Sequence, residues 1–215
     1  MKVGILGSGA VGQSLGLGFA GLGDEVKLGS RTPGKDEIKA WRAKAGPRAS
    51  AGSFAEVAAS GELIVLATRW SGTENAIHLA NPANFDGKVV IDATNPFLHS
   101  EHGLPGLAVG CTNSAGEEVQ RWLPGAKVVK AFNIINAAWM VNPEFPGGPP
   151  DMFLCGNDAD AKRTVVAILQ KLGWAGPIDM GGIEESRVLE PMALLYVHYA
   201  LRHGTWSHAF KLLRK

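Results

Sequence analysis

Gly7-Ser8-Gly9-Ala10-Val11-Gly12 follows directly on the apolar run Val3-Gly4-Ile5-Leu6. Lys2 to Leu6 reads as a buried parallel strand, because a strand covered on both faces is a near-continuous apolar run. Ala10 to Leu22 reads as a helix, with Val11, Leu15, Leu17, Phe19 and Leu22 at mostly helical spacing. A strand, a glycine turn and a helix in that order form the fingerprint of a dinucleotide-binding α/β unit, and each glycine has a physical task there. Gly7 lets the chain turn tightly out of the strand. Gly9 lets backbone approach a pyrophosphate. Gly12 lets the helix lie close on the strand. The helix N-terminus then offers free N–H groups and the positive end of its dipole to phosphate.

About 18 residues beyond Gly12 the second strand ends in Leu28-Gly29-Ser30-Arg31-Thr32. A site for NAD carries Asp or Glu here, bonded to the ribose 2′-hydroxyl. This chain has no carboxylate at that place. A serine hydroxyl and a guanidinium, with Lys35 close behind, suit a 2′-phosphate instead. The expected dinucleotide is NADP.

Composition restricts the remaining possibilities. The 215 residues allow one large or two small domains and bury roughly 70% of the unfolded surface. A net charge of +1 argues against a general nucleic-acid binder. No run of apolar residues is long enough to span a membrane. The N-terminus reads as strand and has no signal-peptide layout, so the expected location is the cytoplasm. Two cysteines far apart, Cys111 and Cys155, do not make a disulfide framework or a metal cluster.

Strand-like runs recur at Val3–Leu6, Glu25–Gly29, Leu63–Ala67, Val89–Ala93 and Val128–Phe132, with a short further one at Ala49–Gly52. Helical stretches fall between them at Ala10–Leu22, Asp36–Ala45, Ser53–Ser60, Gly72–Leu79 and Asn113–Trp122. This alternation predicts an α/β fold, a Rossmann-type doubly wound parallel sheet with helices on both faces. The clearest break is Gly147-Gly148-Pro149-Pro150. Beyond it come a strand at Met152–Cys155, a helix at Ala159–Leu172 capped by Asn157-Asp158, a strand at Pro177–Met180 and a mostly helical Glu184–His203 interrupted at Pro191. The expected organisation is an NADP-binding domain over residues 1–146 and a small C-terminal α/β extension over 151–215, packed on the main sheet.

Ligands of such sheets lie at the carboxyl ends of the strands. That rule selects the loops Gly7–Val11, Ser30–Lys35, Thr68–Thr73, Thr94–Leu98 and Asn133–Asn136; Thr68-Arg69-Trp70 is expected beside the adenine or pyrophosphate, and Asn95 and Pro96 beside the nicotinamide, where an amide can hold the carboxamide. Asn95-Pro96 reads equally well as turn geometry. Ala131, in Lys130-Ala131-Phe132-Asn133, follows the same logic on the next strand. His99 and His102 read as an exposed loop more readily than as a metal pair or an acid–base. His198, His203 and His208 are five residues apart each time, a spacing that does not put all three on one helical face. No catalytic acid–base residue and no metal site are expected. With roughly 35 residues after Met180, the second substrate is expected at the sheet edge, and direct hydride transfer needs alignment rather than a protein acid. The last helix, with Leu194, Leu195, Val197, Tyr199 and Leu201, is apolar nearly all round, so it is buried either in the chain's own core or in a homodimer. The homodimer is the expectation.

Taken together, Gly7-Ser8-Gly9-Ala10-Val11-Gly12, Gly29-Ser30-Arg31-Thr32-Pro33, Val128-Val129-Lys130-Ala131-Phe132-Asn133 and Phe153-Leu154-Cys155-Gly156-Asn157-Asp158 resemble the NADP oxidoreductase family that reduces the 8-hydroxy-5-deazaflavin coenzyme. They are also similar to the oxidoreductase domain of the six-transmembrane ferric reductases. The resemblance covers nearly the whole chain. It implies 2′-phosphate contacts from Ser30, Arg31 and Lys35 and pyrophosphate contacts from Ser8, Ala10 and Val11. It further implies that Ala67, Thr68 and Arg69 flank the cofactor, that Asn95 lies near the nicotinamide, and that no acid–base residue serves the hydride step. At Phe132-Asn133 and Asn95-Pro96 the chain is nearer the ferric-reductase domain. The implied activity is hydride transfer between NADPH and a deazaflavin or flavin coenzyme (FMN or FAD). The alternatives are a flavin or ferric reductase using free flavin, and an NADPH-sensing module without turnover.

Overall fold

A computed structural model describes residues 1–98 and 104–215. The first half alternates strand and helix as the apolar pattern requires: β1 (Lys2–Leu6), α1 (Ala10–Gly21), β2 (Glu25–Gly29), α2 (Asp36–Ala45), β3 (Ala49–Gly52), α3 (Phe54–Ser60), β4 (Leu63–Leu66), α4 (Thr73–Ala80) and β5 (Val89–Asp92). A two-residue ribbon, β6 (Phe97–Leu98) with β7 (Gly106–Leu107), precedes α5 (Ala115–Trp122) and β8 (Lys127–Lys130). The chain ends in β9 (Asp151–Gly156), α6 (Ala159–Lys171), β10 (Gly176–Asp179) and α7 (Ser186–His203). Several helix starts are set by side chains. Ser53 and Glu56 form a reciprocal capping box on α3, and Asp158 accepts from the Ala161 N–H at the start of α6. Pro191 lies inside α7 without dividing it.

One eight-stranded sheet runs β10-β9-β8-β5-β4-β1-β2-β3. The six strands from β8 to β3 are mutually parallel, as expected, and the strand order reverses between β1 and β4. Strands β9 and β10 are parallel to each other, but β9 pairs antiparallel with β8. The segment after residue 150 thus continues the sheet itself rather than packing on its outside. Buried β9 reads the same in either direction, since an apolar run carries no sign of polarity.

The C-terminal segment is tied to the carboxyl edge of the sheet by charge. Lys130, at the end of β8, is wholly buried. Its ammonium lies 2.7 Å from Asp92 of β5 and 3.0 Å from Glu190 of α7, and it donates to the Thr94 carbonyl at 3.0 Å. The Glu190 carboxylate also accepts the Ala115 and Gly116 N–H groups at the start of α5. Burial alone would strip the proton from Lys130, but the two carboxylates outweigh it and hold its pKa above the ordinary lysine value. A raised pKa means that Lys130 contributes in full at neutral pH, and that this contribution is lost only as pH climbs through the folded value. Outside the cluster, Arg187 of α7 grips Glu117 of α5 through two nitrogens and holds that carboxyl below its usual range.

The face of α7 bearing Ser186, Leu189, Glu190, Ala193, Tyr196 and Ala200 is buried. Of the two expected ways to bury this helix, the chain's own core covers only this face: Val188, Leu195, Tyr199 and Leu201 are exposed in the single chain, Leu195 by 60%. No helix of the described residues is long and apolar enough to cross a membrane.

Removing one member of a buried ion cluster strands its partner's charge and costs about 3–5 kcal/mol. Glu190→Ala is therefore expected to lower unfolding stability by that order in a urea titration. Glu37→Ala, exposed on α2, is expected to change it by less than about 0.5 kcal/mol. Equal effects of the two substitutions would deny the cluster its structural weight.

Candidate functional site

The carboxyl ends of β1, β2 and β4 open into a cleft of about 750 Å³. Gly7, Ser8 and Gly9 form its floor, Ser30, Arg31, Thr32 and Lys35 one wall, and Ala67, Thr68 and Arg69 the other. These sequence-selected residues come together as one lining.

The glycine turn separates what the fold requires from what a ligand requires. Gly7 has φ +124°, and a Cβ there would stand 2.3 Å from the Ala67 carbonyl oxygen. A Cβ on Gly12 would stand 2.0 Å from the Gly7 oxygen. Both positions are closed by the protein's own backbone. Gly9 is different: it is exposed, its φ is −78°, and a Cβ would meet nothing within 4 Å. The fold has no need of glycine at position 9. The empty volume above it belongs to the cleft, and a bound pyrophosphate fits that cradle. Gly9 caps α1 without a side-chain hydrogen bond, while its carbonyl takes the Gln13 N–H. The N–H groups of Ala10 and Val11 are thus left pointing out of the helix end, where they suit an anion.

The second strand's corner gathers a hydroxyl and two cations on the cleft wall. Ser30 is nearly buried, and its Oγ accepts the Thr32 N–H at 3.1 Å, leaving the hydroxyl proton free to donate. Arg31 and Lys35 are exposed, and among the described residues neither has a carboxylate partner. Opposite them, Thr68 and Thr73 share a hydroxyl–hydroxyl bond of 2.8 Å, and Thr73 bonds the Arg69 carbonyl. That pair fixes the loop that carries Arg69. Ser71 and Gly72, in the expected Thr68–Thr73 loop, also line the cleft, as do Phe54 and Asn75, which sequence reasoning missed. Asn75 lies in the first turn of α4, and the rule that found Ala10 and Val11 on α1 would have found it too.

The remaining selected residues lie beyond this cleft, at the ends of β5 and β8. Asn95 is half-buried and Pro96 is buried. Ala131 was expected to touch the cofactor, but it is wholly buried and has no surface to offer. Its place at a strand end is as expected, yet its side chain faces the core. The next residue, Phe132, is also wholly buried and holds φ at +64°. That left-handed conformation costs a bulky residue about 1–2 kcal/mol. It turns the chain so that Asn133 meets Asn95, and its N–H is bound to the Met152 sulfur. Residues 94–98 and 131–137 include no ionisable side chain. Tyr196 lies close by, but its hydroxyl already accepts the Asn136 N–H and donates to the Trp206 carbonyl. His99 and His102 lie outside the described residues. His198 faces the Pro105 carbonyl, His208 stacks on Tyr196, and His203 packs on Tyr199.

Comparison with known proteins fits this geometry. The family model described as NADP oxidoreductase, coenzyme F420-dependent, matches residues 2–96. A solved structure from Arthrobacter sp. FB24, described as an F420-dependent NADP-reductase, superposes with a TM-score of 0.94 at 36% identity, covering 100% of both chains. The F420-dependent NADP reductase of Methanocaldococcus jannaschii is 28% identical over 94% of each chain. The rat metalloreductase STEAP3 is 31% identical over 90% of this chain, which spans only 36% of that protein's length. With a dinucleotide cleft whose ribose corner is cationic, and full-length likeness at 36% identity, the chain belongs to the coenzyme F420-dependent NADP oxidoreductase family and is an NADP-dependent oxidoreductase.

Proposed function

We propose that this enzyme transfers hydride between NADPH and a deazaflavin coenzyme of the F420 type, without a protein acid or base in the hydride step. The observation that carries this reading is that, among the described residues, the loops at the ends of β5 and β8 beyond the cleft, residues 94–98 and 131–137, hold no ionisable side chain; His99, Glu101 and His102 follow outside the described residues. NADPH supplies two electrons and a proton as hydride from its C4, and the deazaflavin takes the hydride at its C5 and one further proton from solvent. The protein's own part is to bind and align. Ser30, Arg31, Thr32 and Lys35 hold the 2′-phosphate. The Ala10 and Val11 N–H groups, with Ser8 and Gly9, hold the pyrophosphate. Ala67, Thr68 and Arg69 flank it, and Asn95 and Pro96 border the nicotinamide. Alignment of two bound rings is worth many orders of magnitude in rate without a proton donor. The members of the family named above as F420-dependent support the deazaflavin as partner. Free FMN or FAD is the second reading, favoured by the 31% identity to a metalloreductase.

A homodimer belongs to the same reading. The exposed stripe of α7, Val188, Leu195 and Tyr199, has Glu184 and Glu185 just before the helix and Arg202 and His203 in its last turn. Two antiparallel copies would join apolar stripe to apolar stripe and acidic end to basic end, as a twofold interface requires. Sedimentation is expected to give twice the 22.7 kDa chain mass, and Leu195→Lys is expected to give the monomer. A monomeric wild type would contradict this.

The cofactor assignment is tested by titration. A charge-assisted hydrogen bond contributes about 1.5–3 kcal/mol, so Arg31→Ala is expected to weaken NADPH by about 10- to 100-fold and leave NADH nearly unchanged. Gly9→Val is expected to abolish binding of both dinucleotides while the chain still folds, its stability lowered only by about 1 kcal/mol for a poorer N-cap, because its side chain enters the cleft and not the core. Wild-type protein that binds NADPH and NADH equally well would overturn the assignment. A steady-state screen of NADPH oxidation against deazaflavin, FMN, FAD and a ferric chelate then identifies the acceptor, with deazaflavin expected to lead.

A further inference from the structure

The loops after β5 and β8 meet in a closed clasp of two amides. Asn133 is 5% exposed. Its Nδ2 donates both protons, one to the Leu189 carbonyl at 3.0 Å and one to Asn95 Oδ1 at 3.1 Å. Asn95 Nδ2 donates back to the Asn133 carbonyl at 2.7 Å. The Leu189 carbonyl can only accept, so it settles which end of the Asn133 amide is nitrogen. The atom of Asn95 that faces this nitrogen must then be its oxygen. Asn95 therefore cannot flip, although it is only half-buried. A primary amide has two N–H protons and two oxygen lone pairs. The clasp uses one of each on Asn95 and leaves one of each.

Two further observations mark this clasp as more than a loop tie. The turn that delivers Asn133 is the left-handed Phe132, a conformation the fold has to enforce. In addition, Asn133 Oδ1 is buried without a hydrogen-bond partner among the described residues. Strain and an unmet polar atom at two successive residues are what a stability-driven sequence would discard.

We propose that Asn133 is a positioning residue for the nicotinamide: it locks the Asn95 amide so that one N–H and one oxygen lone pair face the ligand as a fixed donor–acceptor edge. That edge matches the carboxamide of the nicotinamide, itself a primary amide, in one orientation of the ring. The proposal rests on the NADP reading above. It adds that the ring's presented face is set by a residue buried out of the cofactor's reach, through a bond that also reaches α7 at Leu189.

The test uses the full chain with NADPH alone. Transferred nuclear Overhauser effects between the nicotinamide and its ribose report the glycosidic conformer, and fluorescence titration reports affinity. The wild type is expected to hold one conformer. Asn133→Ala is expected to bind NADPH within about threefold of wild type, because the phosphates anchor the other end, but to hold a mixture of conformers. With NADPH deuterated on one face and 8-hydroxy-5-deazaflavin as acceptor, its transfer is expected to slow by about 100-fold and to lose facial selectivity. If Asn133→Ala does not fold, Asn95→Asp serves: it still accepts from Asn133 but loses both N–H groups, the one bonded to the Asn133 carbonyl and the outward one, and the same mixture is expected. A single wild-type conformer in either folded variant overturns the proposal. So does a conformer change matched by an equal loss of NADPH affinity, which would leave Asn133 with a structural role alone. Failure of the NADP reading is seen separately, as a wild type that does not bind NADPH.

Discussion

A lysine with no exposed surface must either lose its proton or be held by opposite charge. Lys130 is held, by Asp92 and Glu190, and much of the catalytic edge depends on that choice. Through this cluster the ends of β5 and β8 are fixed to one another. The same cluster anchors the start of α5 and brings α7 across the carboxyl edge of the sheet. It also holds the Thr94 carbonyl, one residue before Asn95. The loops that border the nicotinamide end are therefore set by buried charge rather than by their own sequence. Hydrophobic side chains of similar volume often give equal stability, but they would not fix a register so narrowly.

The adenosine end of the cleft follows a different logic. There the protein supplies an absence: Gly9 leaves a volume empty, and among the described residues Arg31 and Lys35 have no carboxylate partner. Cations with no internal partner add little to the folded state and remain available to a ligand. On the proposed reading, binding strength is concentrated at the 2′-phosphate and pyrophosphate, and precision at Asn95 and Asn133. This division allows the cofactor to bind tightly at one end and be aligned at the other.

The parallel half of the fold was legible because its strands are buried on both faces and stand out as apolar runs: Leu63–Leu66 and Val89–Asp92 read almost as they fold. The cleft was legible because its residues are local, lying within a few positions of a strand end. What was not legible is long-range. Asp92, Lys130 and Glu190 each look ordinary in sequence, and only the sheet brings them together. Asn133 meets Asn95 across 38 residues and Leu189 across 56. The direction of β9 left no trace in its apolar run, and Ala131 was misjudged because a strand end is near the ligand while its side chain faces the core. The exposed face of α7 could not be told from a buried one, since apolar composition is the same for a core and for an interface.

The central claim is that hydride passes directly between two aligned rings. It is tested most directly by mixing the enzyme with 8-hydroxy-5-deazaflavin and NADPH deuterated at C4, separately on each face, and analysing the reduced product. The account predicts that deuterium from one face, and one only, arrives on C5 of the deazaflavin undiluted by solvent hydrogen. A reduced product carrying solvent hydrogen at C5, or deuterium from both faces, would contradict it.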